Sequence, residues 1–215
     1  MNEPVPANEA VRAIKELIKE WDRYHMALGR FIEMFALVEL SMQLTLWHYA
    51  KVPPRTARAI FSGVKTEAAM GHINRLVEPP RANKAIRDDL EYVFKQLAAI
   101  NKLRNDLVHF VSHTTREGAR VISNSIMARS RRQIRRAVIS PETFIALEHD
   151  LMKIQSHLLV RHFGRRLVRQ NERPRYQRDI DAAWRYIPPP QAPHPKRKRR
   201  GKTQGRRSQR ASSPT

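Results

Sequence analysis

Seven apolar side chains, Ile86, Leu90, Val93, Leu97, Ile100, Leu103 and Leu107, recur at spacings of three and four. That period is helical. It commits residues 82–110 to one long helix with a single core-facing stripe. Such a stripe has to be buried against other elements, and the neighbouring sequence supplies them. Residues 8–25 read as an amphipathic helix with Val11, Ile14, Leu17, Ile18 and Trp21 on one side. Residues 31–51 are apolar almost all round (Phe31, Phe35, Leu37, Val38, Leu40, Leu44, Leu46, Trp47), which predicts a helix at the centre of a bundle. Pro53-Pro54 is expected to end it. Residues 55–62 and 66–77 read as two shorter helices, the second closed by Pro79-Pro80.

After the long helix the pattern changes. Residues 111–127 are rich in Val, Ile, Thr and Ser, with Arg116-Glu117-Gly118 as a turn, and predict a β-hairpin or an irregular excursion. Ser140-Pro141-Glu142 is a helix start, with an N-cap, a first-turn proline and a favourable negative charge. The helix it opens, 141–163, carries Phe144, Leu147, Leu151, Ile154, Leu158 and Leu159, and Phe163-Gly164 is expected to end it. The expected fold is therefore all-α: an antiparallel bundle of four to five main helices over residues 8–163, with the short excursion before its last helix. A basic extension, open to helix formation and containing Trp184 and Tyr186, follows over 164–187. Residues 188–215 have no apolar face to bury and are expected to be a disordered basic tail.

The net charge of +21 is uneven. Residues 1–110 hold 16 Lys and Arg against 13 Asp and Glu, residues 111–187 hold 16 against 7, and residues 188–215 hold 9 against none. A basic surface of this size concentrates polyanions. No amphipathic membrane helix or lipidation signal and no apolar run of spanning length points to a membrane; the stretch 34–50 comes nearest and is broken by Glu39, Gln43 and His48. The chain has no cysteine, which removes disulfides, thiol catalysis and most structural zinc sites. It is compatible with a reducing cytoplasm, and the polar N-terminus shows no signal peptide. No phosphate-binding glycine loop and no nucleophile elbow occurs.

Arg104-Asn105-Asp106-Leu107-Val108-His109 lies near the end of the long helix. Asn105 falls about 200° from Leu103, and His109 about 200° from Leu107, so both are expected to point away from the core stripe. Arg104 sits on the flank. Of the nine histidines, only His109 has an arginine five to seven positions before it. A permanent cation, an amide and an imidazole are the groups needed to cleave RNA without a metal. His109 would act as general base or acid on the ribose 2′-OH or the leaving 5′-oxygen. Arg104 would stabilise charge on the phosphorane, and Asn105 would orient His109 or donate to phosphate.

An arginine, a polar residue and then a histidine near the end of a long helix in an all-α bundle resembles the HEPN superfamily (higher eukaryotes and prokaryotes nucleotide-binding). Its signature is Arg, four to six residues, then His, often with a polar residue after the Arg; Arg104, Asn105 and His109 match position by position. Phe35-Ala36-Leu37-Val38-Glu39-Leu40 is similar to the apolar, Glu-bearing helix of several HEPN subgroups. The resemblance covers roughly residues 8–163; the excursion at 111–139 and the basic tail lie outside the common bundle. It implies a metal-independent endoribonuclease of toxin–antitoxin or anti-phage type, with no cofactor, working on RNA as a homodimer with both motif copies in one cleft and with a cognate antitoxin as a further partner. The expected products are a 2′,3′-cyclic phosphate and a 5′-hydroxyl. Arg104 and His109 lie about 140° apart on one helix, which suits completion of the site by a second copy. Asp106 and Glu39 are the candidate supporting carboxylates. Glu39 has two readings, a partner for a core-edge Arg or Lys, or a group that positions Arg104.

Two arginine clusters look like an RNA-backbone surface, because they do not alternate in sign as a solvated helix face does. Arg129, Arg131, Arg132, Arg135 and Arg136 follow the hairpin; Arg161, Arg165, Arg166 and Arg169 line the end of the last helix. Lys196, Arg197, Lys198, Arg199 and Arg200 form a tail tether, or a nuclear import signal in a eukaryote. His109 and His113 are four apart but lack the further ligands of a metal site, so none is expected. Glu148-His149-Asp150 reads as a solvated helix face. The rival to the enzyme reading is a non-enzymatic helical protein that binds nucleic acid through these basic clusters and its tail.

Overall fold

In the computed structural model, residues 7–115, 119–131, 134–163 and 168–189 are described. The fold is mostly α-helical, as expected, with a small sheet. The first helix, α1 (Ala7–Ala50), is continuous through the stretch expected to separate two helices. The expected break lay around Gly29, which weakens a helix but does not end one. Tyr24, Ala27 and Phe31 are buried on either side of it, and Tyr24 and Phe31 both pack on Phe144, so tertiary contacts carry the helix across. Lys51, at φ 53°, donates its N–H to the Trp47 carbonyl and closes α1 before the prolines are reached.

Two short helices follow, α2 (Pro54–Phe61) and α3 (Thr66–Leu76), joined through Gly63 at φ 77°. The long helix α4 (Lys84–His109) starts at Asn83, whose side chain accepts from the Ile86 N–H. Leu90, Val93, Leu97, Ile100 and Leu103 of its stripe are buried, and Ile86 and Leu107 pack at the ends. The excursion is a three-stranded antiparallel sheet of β1 (Val111–Thr114), β2 (Arg120–Ser123) and β3 (Arg136–Val138). Its register pairs Val111 with Ser123 and Val121 with Val138. The expected turn Arg116-Glu117-Gly118 lies outside the described residues. Only β2 is buried; Val121 and Ile122 close the bundle at that end.

Ser140 caps α5 (Pro141–His157) in a capping box with Thr143. The helix continues into a π-helical turn, Leu158–His162. The final helix, α6 (Arg173–Asp181), lies inside the basic extension. The core is one cluster built on Phe31, Phe35, Met42, Leu46, Leu90, Leu97, Ile100, Phe144, Leu147 and Leu151. Two expectations about α1 fail. Its middle is not buried all round, since Leu37 and Leu40 are exposed, and the apolar side of its first half faces solvent. No helix among the described residues is long and apolar enough to cross a membrane.

Candidate functional site at the end of the long helix

The last two turns of α4 emerge from the core after Leu103, and the sheet begins just beyond the helix, at Val111. Leu103 is buried, Arg104, Asn105 and Asp106 are half-buried, and His109 is exposed. The outward placement expected for His109 is therefore present, while Asn105 is more enclosed than expected. Arg104 lies with its guanidinium 5.4 Å from the Phe35 ring centre and donates to Asn105 Oδ1 at 3.2 Å. Asn105 thus uses its amide oxygen on Arg104, which leaves its Nδ2 group as the donor for His109 or a phosphate. Among the described residues neither bonds His109, so one chain does not bring the cation and the imidazole together.

Asp106 lies one turn before His109 and faces a second arginine. Arg135, just before β3, reaches Asp106 Oδ1 at 3.6 Å and lies over the Phe110 ring at 5.3 Å. Burial pushes the Asp106 carboxyl above the ordinary carboxylate range, although Arg135, Lys102 and His109 pull the other way. Tyr186 reaches the same neighbourhood from the C-terminal segment. Its phenol is pushed up by burial and then by the Asp106 charge. The face thus carries Lys102, His109 and Arg135 around one carboxylate, beside the Arg104–Asn105 pair. It can hold an anion and exchange a proton at an accessible imidazole.

Glu39 plays neither expected part. It accepts from Thr66 Oγ1 at 2.9 Å and ties α1 to α3, with no ion pair to Arg104 among the described residues. The arginine clusters are not one surface. Arg129, Arg131, Arg135 and Arg136 are exposed, and Arg135 reaches the end of α4 through Asp106. Arg161 is also exposed, but it adjoins His162, whose ring bonds Asp89 near the start of α4. Asp89 and Arg104 are fifteen residues apart, about 22 Å along the helix. Arg132, Arg165, Arg166, Lys196, Arg197, Lys198, Arg199 and Arg200 lie outside the described residues.

Two buried polar groups went unread in the sequence. At the start of α4, Asp89 accepts from His157 Nδ1 and from His162 Nε2, each at 2.9 Å, and the Tyr49 hydroxyl meets His162 Nδ1 at 2.8 Å. Burial, followed by the Asp89 charge, pushes the Tyr49 phenol up to about 12, which keeps it a donor to His162. Burial works against the Asp89 carboxylate, but the two histidine hydrogen bonds outweigh it and hold the carboxyl well below its ordinary range. His157 and His162 are five apart, about 140° on an ordinary α-helix. The π-turn, with its i to i+5 bonding, brings both onto one carboxylate.

The second group corrects the reading of Glu148-His149-Asp150 as a solvated face. Asp150 is fully buried and accepts from Gln96 Nε2 at 2.7 Å and from the backbone N–H groups of Arg185 and Tyr186 at 2.8 and 2.9 Å. One turn on, the buried Lys153 ammonium donates to the carbonyls of Ile180 and Ala182 and lies 4.6 Å from the Trp184 ring centre. These bonds strap residues 180–186 along α4 and α5. Among the described residues no group of three or more His, Cys, Asp or Glu is placed to hold a metal ion.

No family model matches the chain, and neither a curated protein nor a solved structure matches it.

Proposed function

We propose that this protein is an endoribonuclease of the HEPN type, cutting RNA by attack of the ribose 2′-OH on the adjacent phosphate. The observation that carries the reading is the exposed His109 on the last turn of α4, one turn beyond the bonded Arg104–Asn105 pair. In the proposed reaction His109 takes the 2′-OH proton as the new O–P bond forms. The P–O5′ bond then breaks, leaving a 2′,3′-cyclic phosphate. The 5′-oxygen receives a proton from the partner's His109, because one chain supplies one imidazole here and the two steps need groups on opposite sides of the phosphorus. Arg104 neutralises charge on the phosphorane oxygens, and Arg129, Arg131, Arg135 and Arg136 hold the flanking phosphates. Asp106 stabilises the imidazolium from one turn away. A homodimer, an RNA target and a cognate antitoxin belong to this proposal.

The test is cleavage of single-stranded RNA in EDTA, with analysis of the ends formed. The expected result is cleavage to cyclic-phosphate and 5′-hydroxyl ends, reduced by roughly two to four orders of magnitude in His109→Ala. RNA binding without any cleavage would leave the protein a nucleic-acid-binding module that uses its basic surfaces alone.

A further inference from the structure

The first half of α1 is an exposed arm, tied to the body at its base by Arg23 on Glu142 at 2.6 Å and by Arg120 over the Trp21 ring at 4.9 Å. From Asn8 to Arg23 every residue but Ala10 is exposed, and the first buried side chain is Tyr24. Those sixteen residues project about 24 Å. One side of the arm is strongly apolar: Val11, Ile14, Leu17, Ile18 and Trp21 are 51, 56, 66, 55 and 56% exposed. Val11, Ile14, Ile18 and Trp21 follow spacings of three, four and three, the seam of a two-helix coiled coil. A helix of this length is marginal alone in water, so a seam of this kind is built to be covered.

The charges around the seam say by what. The arm holds Arg12, Lys15, Lys19 and Arg23 against Glu9, Glu16, Glu20 and Asp22, so it is neutral in a chain of net charge +21. That neutrality gives RNA nothing to bind. It also lacks the cationic polar face of a membrane-surface helix. It is a surface on which two copies of a strongly basic chain can meet without repulsion. The arm is also self-complementary when reversed. Lys15 and Asp22, seven apart, flank the same side of the seam. An antiparallel copy that sets Lys15 against the partner's Asp22 keeps paired numbers summing to 37, which brings Val11 level with the partner's Met26 and centres the contact between Ile18 and Lys19. Met26 is 61% exposed and lines a groove of about 470 Å³ between α1 and α5, with Ile18, Ala27, Pro141 and Ile145.

We infer that the α1 arm is a self-association surface, pairing antiparallel with the arm of a second copy and seating its first turns in the groove between α1 and α5. The two seams together bury on the order of 1,000 Å², the lower size of a specific interface. The arm lies apart from Arg104 and His109 and supplies the contact that holds the proposed dimer together; its test reads mass and cross-linking rather than cleavage.

The full chain is examined by sedimentation velocity from about 1 to 50 µM, with thermal melting to confirm that the bundle is folded. The wild type is expected to be dimeric, and Ile14→Glu/Ile18→Glu monomeric, with dissociation raised at least about 100-fold because each change occurs twice in a two-fold contact. Lys15→Glu should weaken the dimer, and adding Asp22→Lys should restore it. Because the chain has no cysteine, single cysteines report the register directly. Ile18→Cys alone and Val11→Cys with Met26→Cys should form interchain disulfides, whereas Val11→Cys alone should not, its two copies lying about 22 Å apart. A wild type monomeric at 50 µM, a dimer that survives Ile14→Glu/Ile18→Glu, or efficient cross-linking by Val11→Cys alone would overturn the inference. So would stripe-dependent binding of a monomeric wild type to phosphatidylcholine vesicles.

Discussion

The two ends of α4 put polar chemistry to opposite uses. At the start, Asp89 is enclosed with His157, His162 and Tyr49, and both its oxygens accept hydrogen bonds. At the end, His109 stands in solvent, Arg104 and Asn105 bond each other, and Asp106 shares a long ion pair with the exposed side chain of Arg135. A carboxylate with both oxygens engaged inside the fold is expensive to strip of its donors, although His157 Nε2 in the same cluster is buried without a hydrogen-bond partner. A loosely bonded, accessible set contributes little to folding and keeps its donors for something else. The comparison teaches that titratable residues around a helix are separable, by what they already bond, into those that hold the fold and those left accessible for a ligand.

The strongest way to break this comparison is at the buried end. Asp89→Ala leaves the N–H groups of two buried imidazoles without an acceptor and should cost about 3 kcal/mol. Thermal unfolding should record this as a fall of about 6–12 °C for a chain of this size. A change under about 2 °C would mean that the network is decoration. The effect should depend on pH. The folded carboxyl lies below its ordinary value of 3.8, so its contribution is fully present above that value and is lost as pH falls below it toward the depressed value. The gap between wild type and Asp89→Ala should therefore stay constant from about pH 7 to 5 and narrow below 3.8. A gap that widens on acidification would contradict the assignment.

A smaller effect is expected where the C-terminal strap docks. Asp150→Ala removes the acceptor for the Arg185 and Tyr186 N–H groups and for Gln96, and should cost about 2 kcal/mol. Because the effect is local, trypsin should cut after Arg185 much faster than in the wild type. Equal cleavage rates would show that the strap is held by other groups.

Much of the fold was legible because it rests on local chemistry. The α4 stripe, the Ser140 cap and the proline boundaries each declare themselves within a few residues. What was not legible depends on partners distant in the chain. Gly29 reads as a weak point until Phe144 is seen bridging it. Asp150 reads as a surface acid until the strap some 35 residues later supplies its donors. His157 and His162 look unrelated at α-helical spacing and converge only through the π-turn. In the candidate site, the residue types and the outward placement of His109 were readable, while the Arg104–Asn105 hydrogen bond and the approach of Arg135 and Tyr186 were not. The last two arrive from segments with no periodic link to α4.

At the exposed end, Arg135→Ala should hardly change stability, by under about 1 kcal/mol, since Arg135 is more than half exposed and such pairs contribute little. It should weaken RNA binding several-fold, read by fluorescence anisotropy. The smallest effect on cleavage should come from deleting residues 190–215, which carry nine positive charges and no negative one. That truncation should flatten the salt dependence of RNA binding, by about 0.7 in log–log slope for each phosphate the tail no longer neutralises. The cleavage pattern on a saturating short RNA should persist. A truncated protein that binds normally but no longer cuts would place the tail in the active site.

The central claim is that the histidines bonded to Asp89 at the start of α4 hold the fold, while the exposed His109 at its end is the group proposed to carry the reaction. It is tested most directly by measuring RNA cleavage in EDTA and melting temperature side by side for His109→Ala and His162→Ala. The account predicts that His109→Ala loses cleavage by roughly two to four orders of magnitude with an unchanged melting temperature, while His162→Ala melts several degrees lower and still cuts at temperatures where it is folded. Full cleavage by His109→Ala, or loss of cleavage by a folded His162→Ala, would contradict it.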